Sequence, residues 1–407
     1  MRRAAGVLLA ALAGAGCAGG DAIAPAPTVE DTVQVVPGAG LPPEYGAVAG
    51  PSNNNLDVVR HDGRVYLATR NAPDHFASPD AKLFVFSSPS PSPSPSDDEQ
   101  SWQFEALFTT GANDLREPRL LSFKGRLFLY WAQLAAGTGV FDPLGMSVSE
   151  RTAPGTWTAP ADLYRPGEKY IPWRAQVHDG RAYLTVYRNG QRIYDFSGLP
   201  MDVELLVSDD GLDWHPVDPA RPVVSTGGGS ETAFAFDPAG DLYAVIRNER
   251  GDEAFGWGSK ICRARKGDLS AWTCKPDPKK YDSPALFAHD GRIFLVGRRH
   301  VSDTGNFSQD LTEPWSLPST INNLIAYSAK PKRCALWQVD RATLTVRHLT
   351  DVPGWGDTCF PSLIDDPADA RRRILYNYSS PLDGPDLAWI DGQRGETRIY
   401  RTPFRFK

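Results

Sequence analysis

The sequence predicts an all-β protein, a six-bladed β-propeller of four-stranded antiparallel blades. The first observation is a repeated segment in which two apolar runs flank a short turn. The second is its spacing, because copies recur roughly every fifty to sixty residues, as in a four-stranded blade. The third is the abundance of Gly and Pro, 37 and 35 residues, typical of many strands and turns. The six copies are LDVVRHDGRVYLATR (56–70), PRLLSFKGRLFLYW (118–131), WRAQVHDGRAYLTVYR (173–188), TAFAFDPAGDLYAVIR (232–247), PALFAHDGRIFLVGRR (284–299) and PSLIDDPADARRRILYNY (361–378).

Each copy predicts the two inner strands of one blade, because Asp-Gly or Lys-Gly at the bend favours a tight hairpin. The outer half of most blades has a strand, a polar turn and then Trp, most clearly in SDDGLDW (208–214). IAYSA, shortly before Pro331, is expected to open this second hairpin in blade five. The C-terminal LAWIDGQRGETRIYR (387–401) is a further predicted hairpin, which either completes blade six or closes the ring with the N-terminal part.

Composition limits the classes of function. The chain has 407 residues and is 41% hydrophobic, enough for a large core. The length would allow several domains, but the repeat favours one, over residues 46–407. The net charge is −6 and no basic stripe occurs, which argues against nucleic acid as a partner. We expect a monomer without cofactor or metal.

The N-terminus predicts an export signal over residues 1–16. Arg2 and Arg3 precede an apolar run that is too short to span a bilayer. The small residues that follow end at Cys17, which resembles the lipidated first residue of a bacterial lipoprotein. The alternative is an ordinary secretory signal with an incidental Cys. Either predicts a protein of the bacterial cell envelope (outer membrane or periplasm) or a secreted one, in contact with membrane only through a lipid anchor.

Residues 17–45 are rich in Ala, Gly and Pro and predict a disordered tether. Four cysteines follow, an even number that suggests disulfides in an exported chain. Cys262 and Cys274 flank a predicted hairpin and could pair across it, which would leave Cys334 and Cys359 to pair by elimination. Buried free thiols are the alternative. A metal site is disfavoured because no CxxC spacing occurs.

Alignment of the copies on the Gly of the inner turn predicts one common rim. Arg70, Arg247 and Arg298 each follow their aligned Gly by seven residues, at the end of the second strand. Antiparallel pairing sets the end of that strand beside the start of the first. The predicted strand starts carry Asn54, Glu117, Arg174, Glu231, Tyr281 and Asp282.

Three arginines on one rim would suit a ligand carboxylate, because each guanidinium can donate two parallel hydrogen bonds. Arg174, Asn54 and Tyr281 are further candidates for binding a carbohydrate. The acids Glu231, Asp282 and Glu117 could balance this charge or act as acid and base in glycoside cleavage. The alternative is that the arginines merely end strands and pair with local acids.

These segments resemble the sialidase (neuraminidase) superfamily, whose members are six-bladed propellers with Asp-box (BNR) turns. SDDGLDW (208–214) resembles a shortened Asp box, and SETAFAFDPAGDLYAVIRN (230–248) resembles the family's blade-four segment, which implies Glu231 and Arg247 as site residues. LATRNAPD (67–74) resembles the segment in which an Arg precedes the acid/base Asp, which implies Asp74. Arg298 or Arg299 corresponds to the last arginine of the carboxylate-binding triad.

The sequence departs from this pattern at two positions. Asn54 stands where the family has its first triad arginine, and Phe360 stands where it has the nucleophilic Tyr. Phe cannot form a glycosyl-tyrosine intermediate, and Tyr281, Tyr376 and Tyr378 are the candidates to supply a hydroxyl instead. Two hypotheses follow: an exo-sialidase-like glycoside hydrolase acting on an acidic or polar glycan, and a catalytically inactive propeller that binds glycans or partners.

Overall fold

The computed structural model describes residues 20–89, 101–137, 141–188, 200–301 and 314–407. They form a six-bladed β-propeller of antiparallel sheets, which confirms the predicted fold class. The predicted signal peptide, residues 1–16, and the predicted lipidation site, Cys17, lie outside the described residues. Within the described ranges, no helix is long and apolar enough to cross a membrane.

The first half of the chain forms an N-terminal segment and three blades. The N-terminal segment contains β1 (Thr28–Val29), β2 (Val33–Val36) and the short helix α1 (Pro43–Gly46). Blade one contains β3 (Ser52–His61), β4 (Arg64–Ala72), β5 (Lys82–Pro89) and β6 (Gln103–Phe108). Blade two contains β7 (Asn113–Phe123), β8 (Arg126–Ala135), β9 (Pro143–Ala153), β10 (Thr156–Trp157) and β11 (Ala161–Leu163). Blade three contains β12 (Ile171–His178), β13 (Arg181–Arg188), β14 (Met201–Ser208), β15 (His215–Pro216) and β16 (Val223–Gly227).

The second half forms the other three blades, two of which carry a helix between strands. Blade four contains β17 (Gly229–Phe236), β18 (Leu242–Asn248), β19 (Ser259–Arg265) and β20 (Asp268–Asp277). Blade five contains β21 (Asp282–His289), β22 (Arg292–His300), helix α2 (Leu317–Ser328), β23 (Lys332–Asp340) and β24 (Thr345–Trp355). Blade six contains β25 (Ser362–Asp365), β26 (Arg372–Ser379), helix α3 (Trp389–Gln393) and β27 (Arg398–Arg405).

Blade six joins the two ends of the chain and so closes the ring. β27 pairs with β26 on one side and with β1 and β2 on the other, where Val33 lies opposite Arg401. The outer edge of this blade is therefore part of the segment predicted as a tether, residues 17–45. The predicted C-terminal hairpin over 387–401 is wrong in its first half, which contains helix α3, whereas β27 both completes blade six and binds the N-terminal strands.

Four of the predicted inner hairpins have the same turn. The first turn residue has a φ near +46° to +50° and the Gly after it a φ near +69° to +74°. Two successive left-handed residues define a type I′ turn, whose twist matches that of antiparallel strands and which Asp-Gly favours. The four turns are Asp62–Gly63, Lys124–Gly125, Asp179–Gly180 and Asp290–Gly291.

In each of blades one to five, the pairing of the innermost strand with the second strand shifts in register near the start of the innermost strand. In three of them the extra residue has a left-handed backbone, with φ values of 45° at Asn55, 56° at Glu117 and 47° at Ser283. A bulge turns the following side chains relative to the regular alternation of a strand. It therefore decides which side chains of each blade face the mouth of the channel.

Two disulfides, Cys262–Cys274 and Cys334–Cys359, confirm the predicted pairing. The first joins β19 to β20 at directly opposite positions. The second ties β23 to the segment that precedes β25 and leads into the mouth.

The predicted second hairpin of blade five is wrong at its start. IAYSA belongs to helix α2, which begins with Ser316 accepting the backbone N–H of Ser319. The helix buries Thr320 and Tyr327 against the propeller, and Tyr327 reaches the site described below.

Candidate functional site

The predicted strand starts and strand ends meet at one rim of the channel. Asn54 lies opposite Arg70, and Asp282 lies opposite Arg298. Glu231, on the bulge of β17, accepts a hydrogen bond from Arg247 at the end of β18. The register of each inner hairpin thus brings a strand-end arginine beside a strand-start polar residue.

Arg247 is the centre of an acidic cluster. Its guanidinium lies 2.7 Å from Glu231 Oε1, 2.7 Å from Glu249 Oε1 and 3.3 Å from Asp282 Oδ2. Asp282 also lies 4.0 Å from Arg298, so both arginines share one buried carboxylate. Burial raises the pKa of Asp282, but the surrounding positive charges outweigh it and lower the pKa to about 2.

Arg298 is held on every side by its neighbours. Its Nε donates to the Tyr327 hydroxyl at 2.9 Å, and Nη1 donates to the Thr358 carbonyl at 3.1 Å. The Trp389 ring lies 4.5 Å from the guanidinium carbon. These contacts fix Arg298 beside the segment that leads into blade six.

Arg70, predicted to bind substrate, has no free donor. It is fully buried, and its five hydrogen bonds match the five N–H groups of a guanidinium. Two go to the Asp114 carboxylate at 2.9 and 2.8 Å. The other three acceptors are the Asn54 side chain and the carbonyls of Asp74 and Phe76. These contacts join Arg70 to its neighbours at the rim, and the binding roles of Arg70 and Asn54 stay predictions.

Two other predicted residues, Asp74 and Tyr281, have local partners. The Asp74 carboxylate accepts the N–H of Phe76 at 2.8 Å, within its own loop. The Tyr281 hydroxyl donates to Asp277 at 3.2 Å, and its ring packs on Trp337. Tyr281 is buried in the core, and its binding role stays a prediction.

Arg174 lies deeper in the channel. It lies 3.3 Å from Asp57 Oδ1 and donates to the Pro361 carbonyl at 3.0 Å. Asp57 in turn accepts hydrogen bonds from the backbone N–H of Leu120 and from the Ser362 hydroxyl. Arg174 thus links blades one, three and six below the mouth.

Arg119, to which the sequence pattern assigned no role, also lies at the mouth. Its guanidinium is buried between the rings of Trp173 and Phe360, at 4.5 Å from each centroid. Among the described residues, no group forms a hydrogen bond with its Nε or Nη2. Buried donors without partners are rare in folded proteins. Arg119 is therefore an arginine with donors available at the mouth.

Glu117 lies beside Arg119 and is equally unusual. One oxygen accepts from Asn55 Nδ2 at 2.9 Å, and the other lies 3.6 Å from Arg119 without a hydrogen bond to any described residue. Burial, aided by the negative charge of Glu231, raises the pKa of Glu117 to about 7. A left-handed φ is costly for Glu, and such backbones cluster at functional sites. Glu117 is the predicted acid whose environment best suits proton transfer.

Phe360 occupies the mouth at the position predicted for it and faces Arg119 and Trp173. Tyr378 packs 6.4 Å from Phe360, and its buried hydroxyl donates to Asp357 at 3.1 Å. Burial raises the pKa of Tyr378 well above its usual value. This disfavours ionisation to a nucleophilic phenolate.

In the described part of the chain, no group of three or more His, Cys, Asp and Glu could hold a metal ion.

No protein-family model and no curated protein matches the sequence. Among solved structures, the chain is similar to a protein of unknown function from Dyadobacter fermentans, with 18% identity, coverage of 94% of this chain and 100% of that chain, and a TM-score of 0.64. It is also similar to phage phi92 endosialidase, with 8% identity, coverage of 93% and 69%, and a TM-score of 0.60. A Trypanosoma rangeli sialidase in complex with sialic acid gives 12% identity, coverage of 87% and 54%, and a TM-score of 0.54, so the chain spans about half of that protein. At these identities the likeness establishes a sialidase-like fold.

Proposed function

We propose that this protein is a glycoside hydrolase that acts on an acidic or polar glycan at the mouth of the channel. The observation that carries the proposal is the buried pair Glu117 and Arg119, in which both side chains have polar atoms without a hydrogen bond to any described residue. Leaving such atoms unpaired costs roughly 1–3 kcal/mol each. A polar ligand that supplies the missing partners would recover this energy.

Arg119 is the proposed anchor for the ligand. Its donors Nε and Nη2 suit a sugar carboxylate or a pair of hydroxyl groups, because a guanidinium can donate two parallel bonds. Trp173 and Phe360 hold it from both faces, so little side-chain freedom remains to be lost on binding. The charges of Arg247 and Arg298 are already balanced by neighbouring acids. In this proposal the two arginines position Glu231 and Asp282 and do not bind the ligand.

Glu117 is the proposed general acid. With a pKa of about 7 it keeps its proton at mildly acidic pH and can transfer it to the leaving oxygen. Glu231 accepts hydrogen bonds from Arg247 and from the Ser283 backbone N–H, at 2.7 and 2.8 Å. Its negative charge would stabilise the positive charge that develops on the sugar ring.

A second candidate function is glycan binding without turnover. The observation that favours it is Phe360, which has no hydroxyl to form a covalent intermediate. The same Arg119 site would then hold a glycan that is released unchanged. Export to the cell envelope, by a lipid anchor on Cys17 or as a secreted protein, is proposed for both functions, and the two disulfides support it.

A panel of fluorogenic glycosides that includes a sialoside and a glucuronide separates these functions. The hydrolase predicts turnover that falls at least about 100-fold in Glu117→Gln. Glu150→Gln, which removes an acid paired with Arg126 and not connected to Glu117 or Arg119, is the matched control and should keep full activity. Glycan binding on an array with no turnover of any glycoside would support the second function and contradict the first.

A further inference from the structure

His75 and Asp357 form a buried pair at the rim between blades one and six. The His75 Nδ1 atom lies 2.7 Å from Asp357 Oδ2, and the Asp357 side chain is fully buried. Its other oxygen accepts hydrogen bonds from the Tyr378 hydroxyl at 3.1 Å and from Trp389 Nε1 at 3.0 Å. Both oxygens of this carboxylate are therefore engaged, and one of them orients the imidazole.

The backbone of His75 is fixed as firmly as its ring. Its N–H donates to the Gln393 carbonyl at 3.0 Å, and its own carbonyl accepts from Arg116 Nη2 at 2.7 Å. Blades two and six thus clamp a residue that lies in a loop of blade one. The rings of Tyr378 and Trp389 flank the imidazole at 6.4 Å, and about 16% of the side chain is exposed.

This geometry selects one form of the neutral ring. A carboxylate at Nδ1 favours the tautomer with the proton on Nδ1, which leaves Nε2 with a free lone pair. Among the described residues, none forms a hydrogen bond with Nε2. Trp389 contacts both Asp357 and Arg298, so the pair borders the site directly.

We propose that His75, oriented by Asp357, is the general base of the reaction, an inference that rests on the hydrolase function proposed above. The oxygen of a water molecule forms a bond to the anomeric carbon and gives its proton to His75 Nε2. The glycosidic C–O bond breaks, its electron pair stays on the leaving oxygen, and that oxygen takes the proton of Glu117. The products are the free sugar and the released alcohol. The proton on His75 returns to Glu117 through solvent.

This assignment explains why the site works without a nucleophile at Phe360. When a base activates water directly, the water attacks the face opposite the leaving group and the anomeric configuration inverts. The reaction then needs an acid and a base on opposite sides of the sugar, and no covalent intermediate. Glu117 in blade two and His75 at the border with blade six are the two groups that supply them.

His75→Ala and His75→Gln test the role on the glycoside that the wild-type protein hydrolyses. Both should lower kcat at least about 100-fold with little change in KM. Gln can still donate a hydrogen bond to Asp357 but cannot accept a proton, so a purely structural role predicts activity in His75→Gln. Sodium azide should restore turnover in His75→Ala and yield a glycosyl azide of inverted configuration, because azide needs no deprotonation.

His348→Ala is the matched control. His348 also pairs with an aspartate, Asp351, at 3.0 Å, but it lies on outer strand β24 and is half exposed. It should keep wild-type kinetics. Turnover within threefold of wild type in His75→Gln, or a loss in His75→Ala that azide does not relieve, would overturn the role of His75. Neither result would contradict the hydrolase function. An absence of turnover in the wild-type protein itself would overturn the hydrolase function first, and this role with it.

Discussion

Arg70 and Arg119 lie in neighbouring blades and are both buried, yet their surroundings differ. All five N–H groups of Arg70 are engaged by protein acceptors. Arg119 is held by two aromatic faces and keeps Nε and Nη2 without acceptors among the described residues. Burial lowers the pKa of both, and nearby acids oppose that effect in both, but only Arg70 also forms hydrogen bonds with its acid, Asp114.

Two buried arginines of neighbouring blades can therefore serve different purposes. An arginine with saturated donors joins blades and stabilises the fold, because its removal would leave buried acceptors, such as Asp114 Oδ1, without that donor. An arginine with vacant donors contributes little to stability and offers binding energy to a ligand. Burial alone therefore does not decide the function of an arginine, whereas the acceptors around each guanidinium do.

Arg70→Met should lower the stability of the fold more than the other variants proposed below. Removal of one partner from a buried ion pair typically costs about 3–5 kcal/mol, and we expect a loss of about 4 kcal/mol in the free energy of unfolding by urea denaturation. Arg181→Met, which breaks an exposed pair with Asp209 at 2.9 Å, should cost less than about 1 kcal/mol. A loss in Arg70→Met as small as in this control would remove the distinction between the two arginines.

The next largest effect is the pH-dependent stability of Glu117→Gln. The folded pKa of about 7 lies above the unfolded value of 4.5, so the wild-type chain loses stability as pH rises through this window and stays less stable above it. Gln carries no such penalty, and it should raise the free energy of unfolding by up to about 3 kcal/mol at pH 8 and by almost nothing at pH 4. Thermal unfolding at the two pH values measures this.

Glu105→Gln is the control of opposite sign. Burial raises the pKa of Glu105, but hydrogen bonds from Arg151 and Gly155 outweigh it and lower the pKa. Its contribution is therefore present above the unfolded value and lost in acid, so Glu105→Gln should destabilise at pH 8. Equal pH responses of the two variants would show that Glu117 is not held in a proton-retaining environment.

The fold was accessible from the sequence because its signals are local. Asp62–Gly63 and the equivalent pairs in three other blades each specify a hairpin by themselves. The number of repeat copies then gives the number of blades. The outer strand formed by Val33–Val36 was missed because its partner, β27, lies at the other end of the chain. Helix α2 was missed because it is an insertion between two strands of blade five, and the other blades contain no copy that would reveal it by comparison.

The site was harder to predict from the sequence, because bulges decide which side chains face the mouth. Side chains alternate along a strand, so a shift of one residue exchanges those that face the mouth. The bulge at Glu117 brings both Glu117 and Arg119 to the mouth, although the sequence analysis gave Arg119 no role. The signal was the compact run of charge around Pro118, which interrupts regular pairing. His75 carries no signal of its own, since its partner Asp357 belongs to another blade.

A third effect concerns ligand affinity in Arg119→Met. Met can fill the space between Trp173 and Phe360, so the melting temperature should stay within a few degrees of wild type or rise. The dissociation constant for an acidic sugar, measured by calorimetry with N-acetylneuraminic acid and glucuronic acid, should rise about 100-fold, equivalent to about 2.7 kcal/mol. Arg119→Lys keeps the charge but loses the two parallel donors and should recover only part of the affinity. Unchanged affinity in Arg119→Met would contradict the proposed anchor.

The smallest effect tests the link between Glu117 and its neighbour in blade one. Asn55 Nδ2 donates to Glu117 at 2.9 Å, which stabilises the charged form and lowers the pKa of Glu117. Asn55→Gly removes this bond and tolerates the left-handed φ of 45°. Loss of about 1 kcal/mol of hydrogen bonding should raise the pKa of Glu117 by about 0.7. Because Glu117 must carry a proton to act as the acid, the alkaline limb of kcat/KM should move upward by that amount, and a limb that stays in place would assign it to another group.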